Sequence, residues 1–210
     1  MLAAAVHELR GPLGVARGYL RLLEKRGNDD ARAQKAVEEA GHAAERMTLL
    51  LLQLSDYTRL ASGESRLHTE LTPLRDVLEA AAGCVPRPSP AGVEIAVRVS
   101  PDIAIPLDRA RLADAFAALA AAVARAQTTG GTVILAIVEA NEPAGPAIVV
   151  APSADVDSRA AERAPRLDRS GAGLTLALAE LTVRRHGGAL AERWIDDSWA
   201  GYVVRLAIGL

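Results

Sequence analysis

The chain has 210 residues, half of them apolar but only 3% aromatic, with 24 basic against 26 acidic side chains and one cysteine. A formal charge of −2 argues against nucleic acid or an acidic membrane surface as partner, and Cys84 alone cannot close an internal disulfide, which fits a reducing cytoplasm. No apolar run approaches a membrane span and no basic-then-apolar leader opens the chain, so two modest soluble domains are expected, packed through alanine rather than large rings.

Leu2, Val6, Leu9, Leu13, Ala16, Leu20 and Leu23 alternate steps of four and three, the seam of a helix that packs on other helices. That helix should run to about Lys25 and stop in Gly27-Asn28-Asp29-Asp30. Pro12 costs it a backbone hydrogen bond and is either a tolerated kink or a bend that helps expose His7. His7 falls one residue past a seam position, at the edge of the packed face, with Glu8 beside it. A neutral imidazole can attack phosphorus with one nitrogen while a carboxylate on the other fixes the tautomer and stabilises the developing charge. On spacing alone the favoured reading of the pair is a surface histidine on an amphipathic helix, since an isolated His-Glu pair is common on helices.

The second helix carries Val37, Ala40, Ala44, Met47, Leu51, Leu54 and Thr58 and ends near Ala61-Ser62-Gly63. Two such helices form an antiparallel hairpin whose two-sided apolar seam cannot be buried alone, so a homodimeric four-helix bundle is expected. His42 reads as solvated or packed rather than as a second phosphorylation site, and His68 as solvated.

Ser65 to Thr72 reads as a connector, followed by a helix from Pro73 to Gly83 with proline in its first turn, a proline-rich loop from Cys84 to Gly92, and a half-buried strand from Val93 to Val99. A helix over Asp108 to Ala126 presents Leu112, Phe116, Leu119 and Val123 on one side. Strands are expected from Thr132 to about Glu139 and from Ala147 to Ala151, joined by a hairpin over Asn141 to Pro146. Asp155 to Ser170 reads as irregular and charged. Its Arg159, Arg163, Arg166 and Arg169 make either a solvated loop or a docking surface for an acidic face. A helix from about Ala172 to Arg185, the turn His186-Gly187-Gly188 and closing strands Ala189 to Ile195 and Gly201 to Ile208 complete the chain. His186 is expected to end its helix as a cation facing the carbonyl dipoles. The alternation suits an α/β two-layer sandwich after a helical hairpin, an α+β protein.

The phrase Val6-His7-Glu8-Leu9-Arg10-Gly11-Pro12-Leu13 resembles the phosphoacceptor box of two-component sensor histidine kinases. Leu49 to Glu64 is similar to the exit of that family's second dimerisation helix, and Gly171 to Gly188 to the glycine box and following helix of its ATP-binding domain. The resemblance implies a dimerisation and phosphoacceptor domain over 1–64, a connector over 65–72 and an ATP-binding-type domain over 73–210. Several positions depart from the family. Ala118 and Ala122 stand where the resemblance implies two asparagines, one a magnesium ligand, and a methyl group cannot ligate magnesium. Ala151 stands at the aspartate that would anchor adenine, with Ser153 and Asp155 at the glycines beside it. Gly171 and Gly173 keep two family glycines while Thr175 replaces the last, leaving either a retained structural turn or a backbone approach to phosphate. Gly11 stands where kinases that dephosphorylate their partner carry threonine or asparagine, so little partner phosphatase activity is expected.

What remains resembles the dimeric histidine phosphotransferases, kinase-shaped proteins whose second domain no longer binds ATP. The expectation is a homodimer carrying phosphoryl on His7 between receiver-domain aspartates of response regulators, with Glu8 orienting the ring and Arg10 clamping phosphate. No bound cofactor is expected, and the receiver supplies its own magnesium. The other readings are an inactive pseudokinase that dimerises or docks, and a divergent kinase that still uses ATP.

Overall fold

The computed structural model describes residues 2–25, 30–85, 92–100, 103–128, 130–138, 146–167 and 173–207, and for 2–8 and a few other helical positions the backbone alone. Helix α1 (Leu2–Lys25) runs through Pro12 without a break, and α2 (Asp30–Ser62) returns along it. The turn expected at Gly27 to Asp29 lies outside the described residues.

The heptad seams divide between two faces. Within the hairpin Ala16 is buried, with Leu9 and Leu23 half-buried, whereas Leu13 and Leu20 are exposed. On α2 the expected seam is met only in part. Its Ala40, Met47 and Leu54 are half-buried, its Val37, Ala44, Leu51 and Thr58 face outward, and the buried residues among those described are Ala36, Ala43, Leu50 and Leu60. Adjacent apolar stripes on one helix are hard to rank by spacing alone, because either can be the one turned inward. The second stripe leaves Leu13, Leu20, Val37 and Leu51 exposed on the single chain.

After α2 come β1 (Glu70–Pro73), α3 (Leu74–Cys84), β2 (Glu94–Arg98), β3 (Ala104–Leu107), α4 (Arg109–Ala126), β4 (Thr132–Val138), β5 (Ala147–Pro152), β6 (Ala161–Arg163), α5 (Gly173–Arg185), β7 (Ala189–Ile195) and β8 (Ser198–Arg205). The six-stranded sheet has the order β2-β4-β5-β8-β7-β6, with β2 parallel to β4 and the other pairs antiparallel. Alternation along the strands gives the sheet two faces. Val133, Leu135, Ile148, Val150, Tyr202 and Val204 meet α3, α4 and α5 in the main core, while Ala136, Ala147, Val149, Ala151 and Val203 form a smaller cluster with Val156.

Three differences from the sequence-based expectation have local causes. The end of the expected connector is strand β1, paired antiparallel with β3. Each of these strands is four residues long, too short for alternation to declare itself. Pro73 is the N-cap of α3 rather than its first turn, with extended backbone. Inside the segment expected to be irregular, β6 adds an exposed edge strand, where Arg163 lies over the Trp194 ring and pairs with Asp197. The hairpin expected over Asn141 to Pro146 falls mostly outside the described residues. The turn between β7 and β8 uses Asp196 and Asp197, both at positive φ as a tight hairpin of this hand requires.

Gly201 has the least room for a side chain among the described glycines. Its φ is 109°, and a Cβ there would lie 2.2 Å from the Val150 carbonyl oxygen on β5. Gly201→Ala is therefore expected to lower stability by more than about 2 kcal/mol, read as a shifted midpoint in urea unfolding, because strained backbone and overlap add. An unchanged midpoint would contradict this packing.

Candidate functional site

His7 and Glu8 lie in the second turn of α1, and their side chains are outside the described set. Arg10, one turn past His7, is exposed, and so is Gly11, where a Cβ would meet nothing within 4 Å. Leu9 packs against a cluster of Leu50, Leu54 and Leu174. Leu174 follows Gly173, the buried first residue of α5, so the glycine segment of the second domain enters its helix beside the phosphoacceptor helix. Gly171 lies outside the described residues.

The positions expected to be degenerate do not converge on one surface. Ala118 is half-buried and lines a cleft between α2, α4 and α5, while Ala122 is fully buried in the main core. Ala151 is fully buried in the smaller cluster on the opposite face of the sheet. Its neighbour on β5, Val150, faces the helical layer and offers no acceptor either. Ser153 is exposed. The carbonyl of Asp155 accepts from Arg193, whose guanidinium also donates to the carbonyls of Val156 at 3.4 Å and Ser158 at 2.7 Å. Arg193 thus pins the turn after β5 to β7. Burial lowers its pKa, opposed by the charges of Asp155, Glu162 and Asp157.

Thr175 has a role that its glycine-box position concealed. Its hydroxyl hydrogen-bonds Gln53 Oε1 of α2 at 3.2 Å. A second tie comes from Arg111, whose guanidinium donates to both carboxylate oxygens of Asp56 at 2.9 and 3.1 Å and to Ser65 Oγ at 2.8 Å. Nothing in local spacing links Asp56 with Arg111, because they are 55 residues apart.

Arg111 belongs to a node centred on buried Asp108, the N-cap of α4. Asp108 accepts from the Arg111 N–H at 3.1 Å and the His68 N–H at 3.0 Å. Its own N–H donates to His186 Nε2 at 3.0 Å, while His186 Nδ1 lies 2.7 Å from the Thr182 carbonyl oxygen. An Nε2 that accepts and an Nδ1 that donates require the neutral ring. His186 does end its helix, but as a neutral link between α5 and α4 and not as the expected cation. His42 is exposed, and so is His68. Asp114, on the next turn of α4, has its pKa raised first by burial, with Arg111 opposing and the charges of Asp56 and Asp108 reinforcing. Of the arginines in the segment expected to be irregular, Arg159 and Arg166 are exposed, the Arg166 N–H donates to Glu192 Oε1 at 3.1 Å, and Arg169 lies outside the described residues. No three described His, Cys, Asp or Glu side chains group as a metal-ligand set, and no described helix is long and apolar enough to cross a membrane.

Residues 1–63 match the His Kinase A (phospho-acceptor) domain. A protein named Probable sensor histidine kinase TcrY, from Mycobacterium tuberculosis (strain ATCC 25618 / H37Rv), is 30% identical, the match covering 99% of this chain and 45% of that protein. The chain belongs to the two-component sensor histidine kinase family. It spans a little under half the length of that curated relative. Among solved structures, the Acinetobacter baumannii histidine kinase AdeS shares the fold with a TM-score of 0.71 at 16% identity, covering 97% of this chain and 98% of that one. Histidine kinase ThkA, solved with response regulator protein TrrA, has a TM-score of 0.64 at 15% identity, covering all of this chain and 61% of that one. Full-length ShkA, solved with AMPPNP, has a TM-score of 0.63 at 24% identity, covering 99% of this chain and 46% of that one.

Burial lowers the His186 pKa below its ordinary value near 6.5, with the Thr182 carbonyl and the Asp108 charge opposing and Arg111 reinforcing. The unfolded chain then binds a proton that the folded chain resists. Stability is expected to be complete above the unfolded value and to fall as pH drops through the depressed folded one. His186→Ala should lower the urea midpoint at pH 8 and flatten its dependence on acid. Equal slopes in parent and variant would show that His186 does not carry the effect.

Proposed function

We propose that this chain is a His-Asp phosphotransfer protein of histidine kinase type, carrying phosphoryl on His7 without binding ATP. The observation that carries the reading is the surface of α4. At the two places where the family presents asparagines the chain offers only methyl groups, Ala118 at the cleft and Ala122 sealed in the core. Magnesium needs a near-octahedral shell of oxygens, and these residues supply none. The aspartate that would receive the adenine amino group is absent from both Val150 and Ala151, and a site that loses such a partner loses on the order of 10⁴ in selectivity. The hydroxyl at the last glycine position is engaged with Gln53. The residues present do not fit a magnesium-bound adenine nucleotide.

In the proposed relay, the unprotonated nitrogen of His7 attacks the phosphorus of an aspartyl phosphate. The P–N bond forms as the P–O bond to aspartate breaks, and the first receiver regains its carboxylate. Glu8 accepts from the other ring nitrogen and balances its developing charge, while Arg10 holds phosphoryl oxygens. A carboxylate on a second receiver reverses the step, breaking the P–N bond. Magnesium belongs to the receivers. The solved assembly of ThkA with TrrA supports a response-regulator receiver as the partner class. The outward stripe of Leu13, Leu20, Val37 and Leu51 supports a homodimer, in which a second hairpin covers it. A second reading, an inactive docking module, draws on the packing of Leu174 against Leu9, which brings the second domain beside the phosphoacceptor helix.

The test is phosphoryl transfer from a phosphorylated receiver domain to the purified chain. The relay reading expects label on His7, loss of all label in His7→Gln, and an unchanged dimer in light scattering. Label persisting in that variant refutes the assignment, and no label in the parent favours the docking module. The open space at Gly11 gives a further outcome: Gly11→Asn should fold normally and raise dephosphorylation of the receiver by about tenfold or more, because its amide can hold a water. Phosphate release that stays at the parent's rate would remove Gly11 from the account.

A further inference from the structure

The joint where α4 begins and α5 ends has one member that can take up a proton at mild acidity. The His186 N–H bonds the carbonyls of Thr182 at 3.2 Å and Val183 at 3.1 Å, and the Gly188 N–H returns to the Val183 carbonyl at 3.0 Å with Gly187 at a φ of 73°. A helix closed through a left-handed glycine in this way fixes the backbone that carries the ring. The ring itself is tied by Nδ1 to the Thr182 carbonyl oxygen at 2.7 Å. Nδ1 bears a proton in this neutral tautomer and in the imidazolium alike, so the tie survives a change of charge. Nε2 is different. It accepts from the Asp108 N–H at 3.0 Å when neutral and becomes a donor when protonated.

We infer that the Asp108–His186 joint is an acid-responsive switch, in which a proton on His186 Nε2 releases the end of the hairpin from the second domain. Two N–H groups would then face one another across 3.0 Å. The ring is held by its own helix, so the adjustment falls on Asp108. Its carboxylate is already in use. Oδ2 accepts from the His68 N–H at 3.0 Å, Oδ1 accepts from the Arg111 N–H at 3.1 Å, and Arg111 Nε lies 3.9 Å from Oδ2. Turning toward an imidazolium draws the carboxylate away from these partners. His68 belongs to the connector, and the Arg111 guanidinium holds Asp56 of α2 and Ser65 just after it. Both ties between this corner of the second domain and the end of the hairpin therefore depend on the charge of one ring. The Thr175–Gln53 hydrogen bond and the packing of Leu174 on Leu9, Leu50 and Leu54 lie further back along α2 and contain no group that titrates in this range.

The groups around the ring set the sign. Burial is the largest effect and keeps the docked ring neutral, while Asp108 and Arg111 face it from α4, the first favouring the proton and the second opposing it. Arg184 and Arg185 beside it on α5 and Arg66 in the connector are exposed, Asp56 of α2 is engaged by Arg111, and Arg205 of β8 by Glu162. An Asp108 carboxylate freed to pair with the imidazolium raises the ring's affinity for its proton above that of the docked state. Docking is thus complete above the ordinary histidine value and is lost as pH falls through the depressed one. The switch works in the folded chain and does not rest on the phosphorelay reading. It sets how firmly the second domain lies beside α1.

The test uses the whole chain with bimane on Cys84, its single cysteine, which is exposed and lines the cleft against Leu49 and Leu52 of α2. As pH falls from neutral to mildly acid, bimane emission should shift to the red with one-proton steepness while circular dichroism stays constant. H186Q should abolish the shift, because an amide accepts from the Asp108 N–H and donates to the Thr182 carbonyl without charging. H7Q, H42Q and H68Q should each keep it, and D56A should show the red-shifted emission already at neutral pH. Amide NMR of the unsubstituted chain serves should H186Q not fold: the His68 and Arg111 N–H signals should move together with the His186 ring as it titrates. A shift that survives H186Q, a folded parent without any shift, D56A that emits as the parent does, or a ring that titrates while both amides stay in place overturns the proposal.

Discussion

The structure depends on how one buried carboxylate is satisfied. Asp108 caps α4, receives the backbone N–H of His68 from the connector, and through its own N–H meets the neutral ring of His186 at the end of α5. Arg111, whose backbone this carboxylate caps and whose Nε lies 3.9 Å from Asp108 Oδ2, reaches on to Asp56 of α2 and to Ser65 just after it. Four segments distant in sequence thus meet within one hydrogen-bonded cluster. An N-cap of this kind contributes about 1 kcal/mol by itself, but its larger effect here is geometric. It sets where the hairpin leaves the second domain, and hence which part of that domain lies beside His7.

With that end fixed, the other contacts follow along α2. Gln53 meets Thr175, and Leu50 and Leu54 meet Leu174 together with Leu9 of α1. A family nucleotide site would place its last glycine at Thr175. A side chain there that bonds the hairpin exchanges room near a phosphate for a fixed approach of α5 to α2. Ala122, expected from the sequence at a ligand position of the family, is packed into the core. The proposed ATP-independent carrier would tolerate packing in place of ligands at such positions.

Much of the architecture was legible because it is periodic. The heptad spacing of α1 and α2, the apolar face of α4 and the alternation in β4 and β5 each span enough residues to declare their type. β1, β3 and β6, at three or four residues each, do not. The phosphoacceptor motif could be read because its residues are contiguous. The Asp56–Arg111 pair, the Asp108–His186 link and the three carbonyls held by Arg193 could not, since each joins residues brought near only by the completed fold. The charge state of His186 is hidden from the sequence for the same reason: helix-end position suggests a cation, and the N–H of Asp108, donated to Nε2, favours the neutral ring.

The central claim is that phosphorus reaches His7 from another protein and not from a nucleotide. The most direct measurement is mass spectrometry of the purified chain after incubation with heavy-isotope ATP and magnesium and no other polypeptide. The account predicts an unlabelled His7. Isotope on that imidazole, absent from His7→Gln treated in parallel, would contradict it.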